Sequence, residues 1–192
     1  MRKISTNTYL DTEETLERSE LWGGFVVRDA ASPLFAHQIA TTRLTVLLDR
    51  AARDARAGVV CVSPIDVVLD RDNAIVVQPD IVFVSHARRA IIGDRVEGAP
   101  DLVVEVISAS TARRDRGAKL RLYQRYGVRE CWLVTPDEWT IEVIELTPDT
   151  RHRRTYAVDT PIVSSVLGPL GFSTDDVFGE IGMGNTIELP AE

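Results

Sequence analysis

The apolar and polar positions between Pro100 and Gly127 change their spacing from that of a strand to that of a helix. The apolar run Leu102 to Ile107 has the length of a buried strand. Further on, apolar side chains return at helical spacing, at Leu120, Tyr123 and Tyr126. The closing glycine can end a helix in a left-handed turn. The pattern therefore predicts a strand, a short turn and a helix.

One charged residue, Glu105, interrupts this predicted strand. A buried carboxylate is costly unless something binds it, so Glu105 is a candidate functional residue. Lys119 lies about two turns into the predicted helix, one position before its first apolar residue. A lysine at that position can lean back toward the strand end that carries Glu105. The pattern predicts that an acid and a base converge.

The first third of the chain is predicted to hold a short helix, a strand and a long helix. Residues 9 to 20 have the composition of an acidic helix, and a candidate strand follows. Gly23 and Gly24 weaken that strand and indicate a tight turn or a bulge. From Leu34 to Ala57, apolar residues recur with the period of an amphipathic helix that Gly58 would end.

The next segment predicts a β-hairpin. Two apolar runs, Val59 to Leu69 and Ala74 to Val84, flank a polar turn at 70–73. Pro79 falls inside the second run, and a proline within a strand marks an edge or a kink because it has no backbone N–H. We therefore expect Asp80 to be presented where the strand ladder is interrupted.

The second half of the chain continues mainly with strands. A polar loop over 85–99 is expected to include a helical turn around 88–92, and candidate strands cover 131–134, 140–146 and 154–158. Strands that surround one early helix and one central helix predict a mixed sheet flanked by helices. The expected fold class is α/β, or α+β with one crossover.

Length and composition indicate one soluble globular domain. The 192 residues suffice for a single core, expected over about 9–178 with a tail over 179–192. The sequence is 44% hydrophobic and 27% charged, and no apolar run approaches the roughly 20 residues of a membrane span. The N-terminus turns acidic where a signal peptide would be apolar. Cys61 and Cys131 lie in apolar runs without a pairing pattern, and we predict two reduced core thiols in a cytoplasmic protein.

The net charge of −7 opposes nonspecific coating of nucleic acid, because phosphates would repel the molecule as a whole. The charge is nevertheless uneven, since seven basic and two acidic residues lie between 108 and 130. The basic residues are Arg113, Arg114, Arg116, Lys119, Arg121, Arg125 and Arg129. Such a stretch is either a face for anions or a solvated helix face, and spacing alone does not distinguish the two.

Asp80 and Glu105 are candidate metal ligands. They lie 25 residues apart in otherwise apolar runs, a spacing typical of neighbouring strands joined by a loop. Mg²⁺ takes one or two protein carboxylates and keeps several waters. It would polarise a phosphodiester and lower the pKa of a bound water, while Lys119 steadied the developing charge. The alternative is a buried salt bridge from the carboxylates to an arginine of the helix.

Nucleotide cofactors are not indicated by the sequence. A glycine-rich phosphate turn after a strand and the GxxxxGK[ST] motif are both absent from it.

Several of these residues belong to a longer string that resembles one protein family. The string comprises Pro79-Asp80, the segment GAPDLVVEVIS at 98–108, then Asp115, Lys119 and Tyr123, and the segment GVRECWLV at 127–134. It resembles the Uma2 family, a large bacterial group once catalogued as a domain of unknown function and regarded as endonucleases of the PD-(D/E)XK superfamily. The resemblance extends from about Tyr9 to about Phe178.

The resemblance implies a restriction-endonuclease-like core, a mixed central sheet flanked by helices, with Mg²⁺ or Mn²⁺ held by Asp80 and Glu105. The superfamily pattern has a lysine two residues after the glutamate, where this chain has Ile107. Lys119 matches the helix position that looks like the replacement for that lysine in the family.

The resemblance also covers the N-terminal part of the chain. Glu20 matches the family's N-terminal glutamate, although two glycines stand here where Asp-Gly usually follows. Ser32, Pro33 and His37 match the family's Ser-Pro…His segment. We expect His37 to be a satisfied histidine at a helix start rather than a ligand.

The leading hypothesis is a Mg²⁺-dependent endonuclease that cuts DNA through a metal-activated water, with Asp80, Glu105 and Lys119 as catalytic residues. The expected supporting residues are Glu20, Ser108 and Tyr123, and the expected phosphate-binding residues are Arg113, Arg114 and Arg116. Two alternatives stay open: a catalytically decayed binding or regulatory module on a nuclease fold, and a metal-dependent hydrolase of a small phosphorylated substrate. No membrane partner is expected. A homodimer is expected, because a duplex cut on both strands needs two sites.

Overall fold

The computed structural model describes residues 2–12, 18–28, 34–107 and 114–179. The helices are α1 (Thr6–Leu10), α2 (Phe35–Asp54), α3 (Leu120–Tyr126) and α4 (Thr174–Phe178). The strands are β1 (Ser19–Trp22), β2 (Phe25–Arg28), β3 (Gly58–Val62), β4 (Val67–Asp70), β5 (Ile75–Val77), β6 (Ile81–Ser85), β7 (Val96–Glu97), β8 (Leu102–Val106), β9 (Glu130–Thr135), β10 (Thr140–Leu146), β11 (Arg151–Ala157), β12 (Val163–Ser164) and β13 (Gly168–Pro169). Shorter turns are the 3₁₀ turns His86–Ile91 and Pro136–Glu138 and the π-helical turn Asp115–Lys119, which leads directly into α3.

Some of the sequence predictions fall on residues outside these ranges. They concern the middle of the acidic helix at 13–17, Ser32 and Pro33, Ser108, Arg113, and the tail beyond 179. These remain predictions.

The larger sheet has the strand order β11-β10-β9-β8-β6-β3. β8 and β9 pair in parallel, whereas the other neighbours pair antiparallel. Parallel strands need a crossover connection, and the chain between β8 and β9 includes the π-helical turn and α3. The predicted mixed sheet with a helical crossover is confirmed.

Hydrophobic layers cover both faces of this sheet. On one face, α2 contributes fully buried residues at helical spacing: Ala40, Leu44, Leu48 and Ala52. On the other face, α3 contributes Leu120 and Tyr123. Successive residues of a strand point to opposite faces, so Val104 of β8 joins the α2 layer while Glu105 points toward α3. None of the described helices combines the length and the apolar character needed to cross a membrane.

A smaller sheet with the strand order β2-β1-β5-β4-β7 holds the N-terminal hairpin. The turn between β1 and β2 is formed by Gly23 and Gly24, whose φ angles are +60° and +88°. Positive φ is a conformation that glycine adopts without strain, which is why both positions suit glycine. The predicted tight turn is confirmed, and it returns the chain so that β2 pairs with β1. The other edge of β1 pairs with β5.

The segment predicted as one hairpin is two nested strand pairs in different sheets. β4 and β5 pair in the smaller sheet, while β3 and β6 pair in the larger one. The prediction of one continuous hairpin was wrong, because the chain changes sheet twice. It returns to the larger sheet between Val77 and Ile81, where Pro79 has no N–H to donate to a ladder. Asp80 lies in this break, as the sequence predicted.

The prediction of an acidic helix over 9–20 was wrong for the last residues of that range. α1 begins earlier, where Ser5 Oγ accepts a hydrogen bond from the Thr8 N–H over 3.1 Å. Arg18 precedes β1, and Glu20 lies within that strand. The pairing of β1 with β2 and β5 overrides the local helical preference.

The prediction of two core thiols was correct for Cys131 and wrong for Cys61. Both cysteines are free, and Cys131 is buried in β9. Cys61 is exposed because β3 is an edge strand of the larger sheet. The apolar run in the sequence does not show that one face of the strand is left uncovered by the rest of the protein.

Gly58 begins β3 rather than ending α2, so that prediction was also wrong. α2 ends at Asp54, followed by Ala55 with helical backbone angles. A Cβ added at Gly58 would lie 2.1 Å from the carbonyl oxygen of Val84. The glycine is required by the close approach of β3 to β6.

We expect Gly58→Ala to destabilise the protein by about 3 kcal/mol or more, because the clash is with backbone that cannot rotate away. Urea unfolding monitored by circular dichroism measures the free energy of unfolding. Gly93→Ala is the matched control, since its added Cβ would meet nothing nearer than 3.7 Å. Equal free energies of unfolding for the two variants would contradict the argument.

Candidate active site

The candidate site lies where β6 and β8 run side by side. Ile81 of β6 pairs with Val104 of β8, and this register places Asp80 beside Glu105. The Asp80 N–H donates to the Val104 carbonyl over 3.0 Å. Both carboxylates are buried, with 3% of each residue exposed. The sequence spacing of Asp80 and Glu105 predicted neighbouring strands, and β6 and β8 are neighbours in the sheet.

Asp80 is held by contacts to each of its carboxylate oxygens. Its Oδ2 accepts the Val106 N–H over 2.7 Å, and its Oδ1 accepts Arg18 Nη1 over 2.6 Å. His37 Nε2 lies 3.5 Å from Oδ1. Burial opposes ionisation, but hydrogen bonding and charge from His37, Arg18 and the Val106 N–H together lower the pKa of Asp80 to about 2. Asp80 is therefore ionised at neutral pH.

The pKa of Glu105 is raised, whereas that of Asp80 is lowered. Its Oε1 accepts the Tyr123 hydroxyl and lies 2.8 Å from Lys119 Nζ. Burial raises the pKa of Glu105 to about 8. Lys119 opposes this rise, whereas the nearby carboxylates of Asp115, Asp80 and Glu20 add to it. Burial and these neighbouring carboxylates together favour the protonated form of Glu105.

Lys119 is the buried cation at the centre of these carboxylates. Its ammonium lies 2.8 Å from Glu105 Oε1, 2.9 Å from Glu20 Oε1 and 3.8 Å from Asp115 Oδ1, and 2% of the side chain is exposed. Burial alone would lower the pKa of Lys119, but Glu105, Glu20 and Asp115 raise it above its ordinary value. The lysine is therefore charged, and it leans toward the strand as the helical pattern predicted.

The π-helical turn helps to place Lys119. It carries Asp115 and Lys119 four residues apart, and both are buried. Single π-helical turns within helices are rare and are frequent at functional sites. Tyr123 follows one turn later, fully buried, and burial raises its pKa well above the ordinary value, so its hydroxyl stays protonated and donates to Glu105.

Glu20 joins the site from the smaller sheet. Its Oε1 accepts the Gln78 N–H over 3.0 Å, and its Oε2 accepts Trp22 Nε1 over 3.0 Å. Burial opposes ionisation of Glu20, but Lys119 and the Gln78 N–H lower its pKa below the ordinary value. Glu20 therefore serves as a fixed anion that orients Lys119.

Comparison with known proteins identifies the family. Residues 6–175 match the profile of Uma2, described as "Putative restriction endonuclease". This chain belongs to the Uma2 family. A crystal structure at 1.96 Å titled as a putative nuclease belonging to DUF820, from Anabaena variabilis, superposes with a TM-score of 0.76. The two chains share 18% identity, and the match covers 91% of this chain and 97% of the other. The likeness shows that the two proteins share a fold. No curated protein matched the chain significantly.

The described residues show whether this Uma2 chain has ligands for the expected metal ion. Among them, no group of three or more His, Cys, Asp and Glu side chains is arranged to hold a metal ion. Mg²⁺ needs fewer protein ligands, since it binds one or two carboxylates and keeps its waters. Asp80 and Glu105 supply such a pair. Burial raises the pKa of Glu105, neighbouring carboxylates add to the rise, and a divalent cation at this position would offset both effects. The donor set fits a hard divalent cation.

Of the arginines expected to bind phosphate, Arg114 lies beside the site and Arg116 lies away from it. Arg114 Nε is 3.9 Å from Asp115 Oδ1, at the edge of the site. Arg116 is farther away, where it donates to Glu142 and, over 3.1 Å, to Thr135 Oγ1. Arg113 and Ser108 lie outside the described residues. The structure brings together Asp80, Glu105, Lys119, Tyr123 and Glu20 of the predicted set.

Sequence reasoning missed Arg18 and misjudged His37. His37 was expected to be satisfied, but its Nδ1 is buried and has no hydrogen-bond partner among the described residues, while its other ring nitrogen faces Asp80. Arg18 stands two positions before Glu20, which the family resemblance had already matched. Alternate residues of an extended chain point to the same side, and that spacing was the signal available for Arg18.

We expect Glu105 to make the stability of the metal-free protein fall with rising pH. The pKa of Glu105 is about 8 in the folded state, against an ordinary value of 4.5. Between these pH values the folded state keeps a proton that the unfolded state has lost, so folding is progressively less favourable up to about pH 8. Glu105→Gln should remove this loss, which we expect to be about 3 kcal/mol.

Urea unfolding at pH 5.5 and pH 8.5 in EDTA tests this expectation. Glu138→Gln is the control, because Glu138 is exposed and should leave the pH dependence of the unmodified protein unchanged. Parallel pH profiles for the unmodified protein and Glu105→Gln would show that the Glu105 carboxyl is not the group responsible.

Proposed function

We propose that this protein is a divalent-metal-dependent endonuclease that hydrolyses phosphodiester bonds of DNA. The observation that carries the proposal is the buried contact of Lys119 with Glu105 and Glu20, beside the ionised Asp80. A lysine is almost never fully buried unless it is paired, and a buried ion pair contributes little net stability because both charges lose their hydration. Perturbed ionisable groups clustered in this way mark functional sites.

Asp80 and Glu105 would hold the metal, Mg²⁺ or Mn²⁺. When bound, such an ion supplies Lewis-acid polarisation of the phosphodiester and a water of lowered pKa. The protein's own groups prepare the ligands. The Val106 N–H fixes the orientation of Asp80, and the Tyr123 hydroxyl fixes Glu105. Their burial strengthens every electrostatic contact in the site.

Lys119 has the role of steadying negative charge that develops on the phosphate or on the attacking oxygen. Its two close carboxylates keep it protonated and aimed, so little reorganisation is needed during reaction. Ile107, at the place of the superfamily's strand lysine, is buried and its N–H donates to the Val134 carbonyl over 2.7 Å. Lys119, on the helix side, supplies a cation to Glu105 of β8.

One observation favours a second candidate, a decayed binding or regulatory module. Arg18 already forms an ion pair with Asp80, which neutralises that carboxylate without a metal. A hydrolase of small phosphorylated substrates would use the same carboxylates as the endonuclease. We also propose that the protein acts in the cytoplasm. We further propose that it forms a homodimer, which would bring two sites to the two strands of a duplex.

The test is nicking of supercoiled plasmid in Mg²⁺ or Mn²⁺, with single-stranded DNA, RNA and mononucleotides as parallel substrates. We expect nicked and then linear plasmid, no cleavage in EDTA, and recovery when Mn²⁺ is restored. Binding of DNA with neither cleavage nor binding of Mn²⁺ at millimolar concentration would favour the binding module. Hydrolysis of mononucleotides alone would favour the small-substrate hydrolase.

A further inference from the structure

Arg18 covers the site from the side of the smaller sheet. Its Nη1 donates to Asp80 Oδ1 over 2.6 Å, and its Nη2 donates to the Gln78 carbonyl. Its Nε is buried and has no hydrogen-bond partner among the residues that the structure describes. The guanidinium is anchored on one side only, which leaves part of its donor capacity unused.

The oxygen that Arg18 binds is the one through which Asp80 would bind a cation. Oδ2 of Asp80 already accepts the Val106 N–H over 2.7 Å. That bond belongs to the backbone of β8, and losing it would leave a buried donor without a partner. Among the described residues, Oδ1 is held by side chains alone, those of Arg18 and the more distant His37. Side chains can rotate away, so Oδ1 is the exchangeable position.

Arg18 and a divalent cation cannot both occupy Oδ1 at low energy. An arginine does not lose its proton under any ordinary condition, so the two positive charges would repel each other across a single oxygen in a poorly solvated site. Binding of the ion therefore requires Arg18 to leave.

Arg18 is also well placed to meet a substrate phosphate. Its side chain is 29% exposed, whereas that of Lys119 is 2% exposed. A guanidinium matches two phosphate oxygens with two parallel N–H donors, which an ammonium cannot do. Once released from Asp80, the guanidinium needs an anion, and a phosphodiester at the site provides one.

We propose that Arg18 is an exchangeable cation of the site: it competes with the divalent ion for Oδ1 of Asp80 and, when displaced, binds the phosphodiester. This inference rests on the proposed nuclease function. It assigns to Arg18 a substrate contact and also an opposing effect on metal affinity. A residue with a merely structural role would not raise metal affinity when removed.

The test measures Mn²⁺ affinity by isothermal titration calorimetry, together with the kinetics of plasmid cleavage. Arg18→Met should bind Mn²⁺ about tenfold more tightly than the unmodified protein, because a repelling charge is removed. At saturating Mn²⁺ the same variant should lose about 30-fold in cleavage, with a raised KM for DNA, because the phosphate contact is gone. Arg18→Lys keeps the charge and should restore the lower Mn²⁺ affinity.

Arg71→Met is the matched control. Arg71 donates to the Glu97 carboxylate and to Asn7 Oδ1, much as Arg18 donates to Asp80 and to a second oxygen. Arg71 lies, however, on the exposed surface of the smaller sheet. It should leave both measurements unchanged. Thermal melts check folding, and Arg18→Gln, which keeps a neutral polar side chain, replaces Arg18→Met if the methionine variant does not fold.

The outcomes separate this inference from the proposed function. Equal Mn²⁺ affinity of Arg18→Met and the unmodified protein, in a preparation that cleaves DNA, overturns the role of Arg18 and leaves the nuclease intact. Tighter Mn²⁺ binding by Arg18→Met without cleavage by any variant supports the competition and overturns the nuclease. No Mn²⁺ binding by any variant overturns both.

Discussion

Replacing Lys119 by methionine is expected to lower the rate of DNA cleavage about a thousandfold, the usual effect of removing a preorganised charge-stabilising group. Lys119 lies in direct contact with Glu105, with Nζ 2.8 Å from its Oε1. Methionine has a similar length but no charge, so it fills the space without supplying the ammonium. Single-turnover cleavage of plasmid at saturating Mg²⁺ measures the loss, because it excludes effects on product release.

The same substitution is expected to destabilise the fold by about 3 kcal/mol, because it leaves buried carboxylates without their partner. Glu20 and Glu105 both rely on the ammonium. The double variant Lys119→Met, Glu20→Gln removes one of these charges and should recover part of the stability. Its cleavage rate should stay low, which separates a catalytic loss from a folding loss.

Lys3→Met is the control for this substitution, since Lys3 is exposed and its ammonium lies over the ring of Phe25, 5.2 Å from the centroid. We expect it to leave cleavage unchanged. Cleavage by Lys119→Met at the rate of the unmodified protein, with the fold intact by circular dichroism, would remove Lys119 from the proposed machinery.

Replacing Asp80 by asparagine is expected to reduce cleavage by about a thousandfold and to weaken Mn²⁺ binding by about a hundredfold or more, since hard cations need carboxylate oxygen. The amide oxygen can still accept the Val106 N–H that Asp80 Oδ2 accepts over 2.7 Å. The backbone of β8 should therefore be undisturbed. Calorimetry with Mn²⁺ and the plasmid assay give the two measurements.

Asp49→Asn serves as the matched control for Asp80→Asn. Asp49 also pairs with an arginine, Arg53, over 2.7 Å, but on the outer surface of α2. An undiminished Mn²⁺ affinity in Asp80→Asn would mean that the metal binds elsewhere. A normal cleavage rate in that variant would contradict the proposed site directly.

The meeting of Lys119 with Glu105 could be predicted from the sequence because both residues lie in one short strand-turn-helix segment. The period of two in β8 and the helical period around Leu120 and Tyr123 set the direction of each side chain. The end of α3 was equally local, since Gly127 adopts φ +86° where the apolar series stops. Asp80 could be anticipated from the proline before it.

The contribution of the N-terminal hairpin could not be predicted in this way. Glu20 reaches Lys119, and Arg18 reaches Asp80, only because β1 pairs with β5 of the smaller sheet. The family resemblance pointed to Glu20 without saying what it touches. The two-residue spacing from Glu20 indicates the side on which Arg18 lies, but it does not indicate Asp80 as its partner, which is 62 residues away.

The sequence by itself determined the strand-turn-helix unit and the identity of its acid and base, since periodicity and side-chain direction are properties of neighbouring residues. Tertiary structure decided how the runs around 59–84 divide between two sheets, why Cys61 is exposed, and which residues complete the site around Asp80. The reason is physical. Strand pairing and burial depend on segments distant in the chain. The raised pKa of Glu105 follows from its burial, and carboxylates from other parts of the chain add to it.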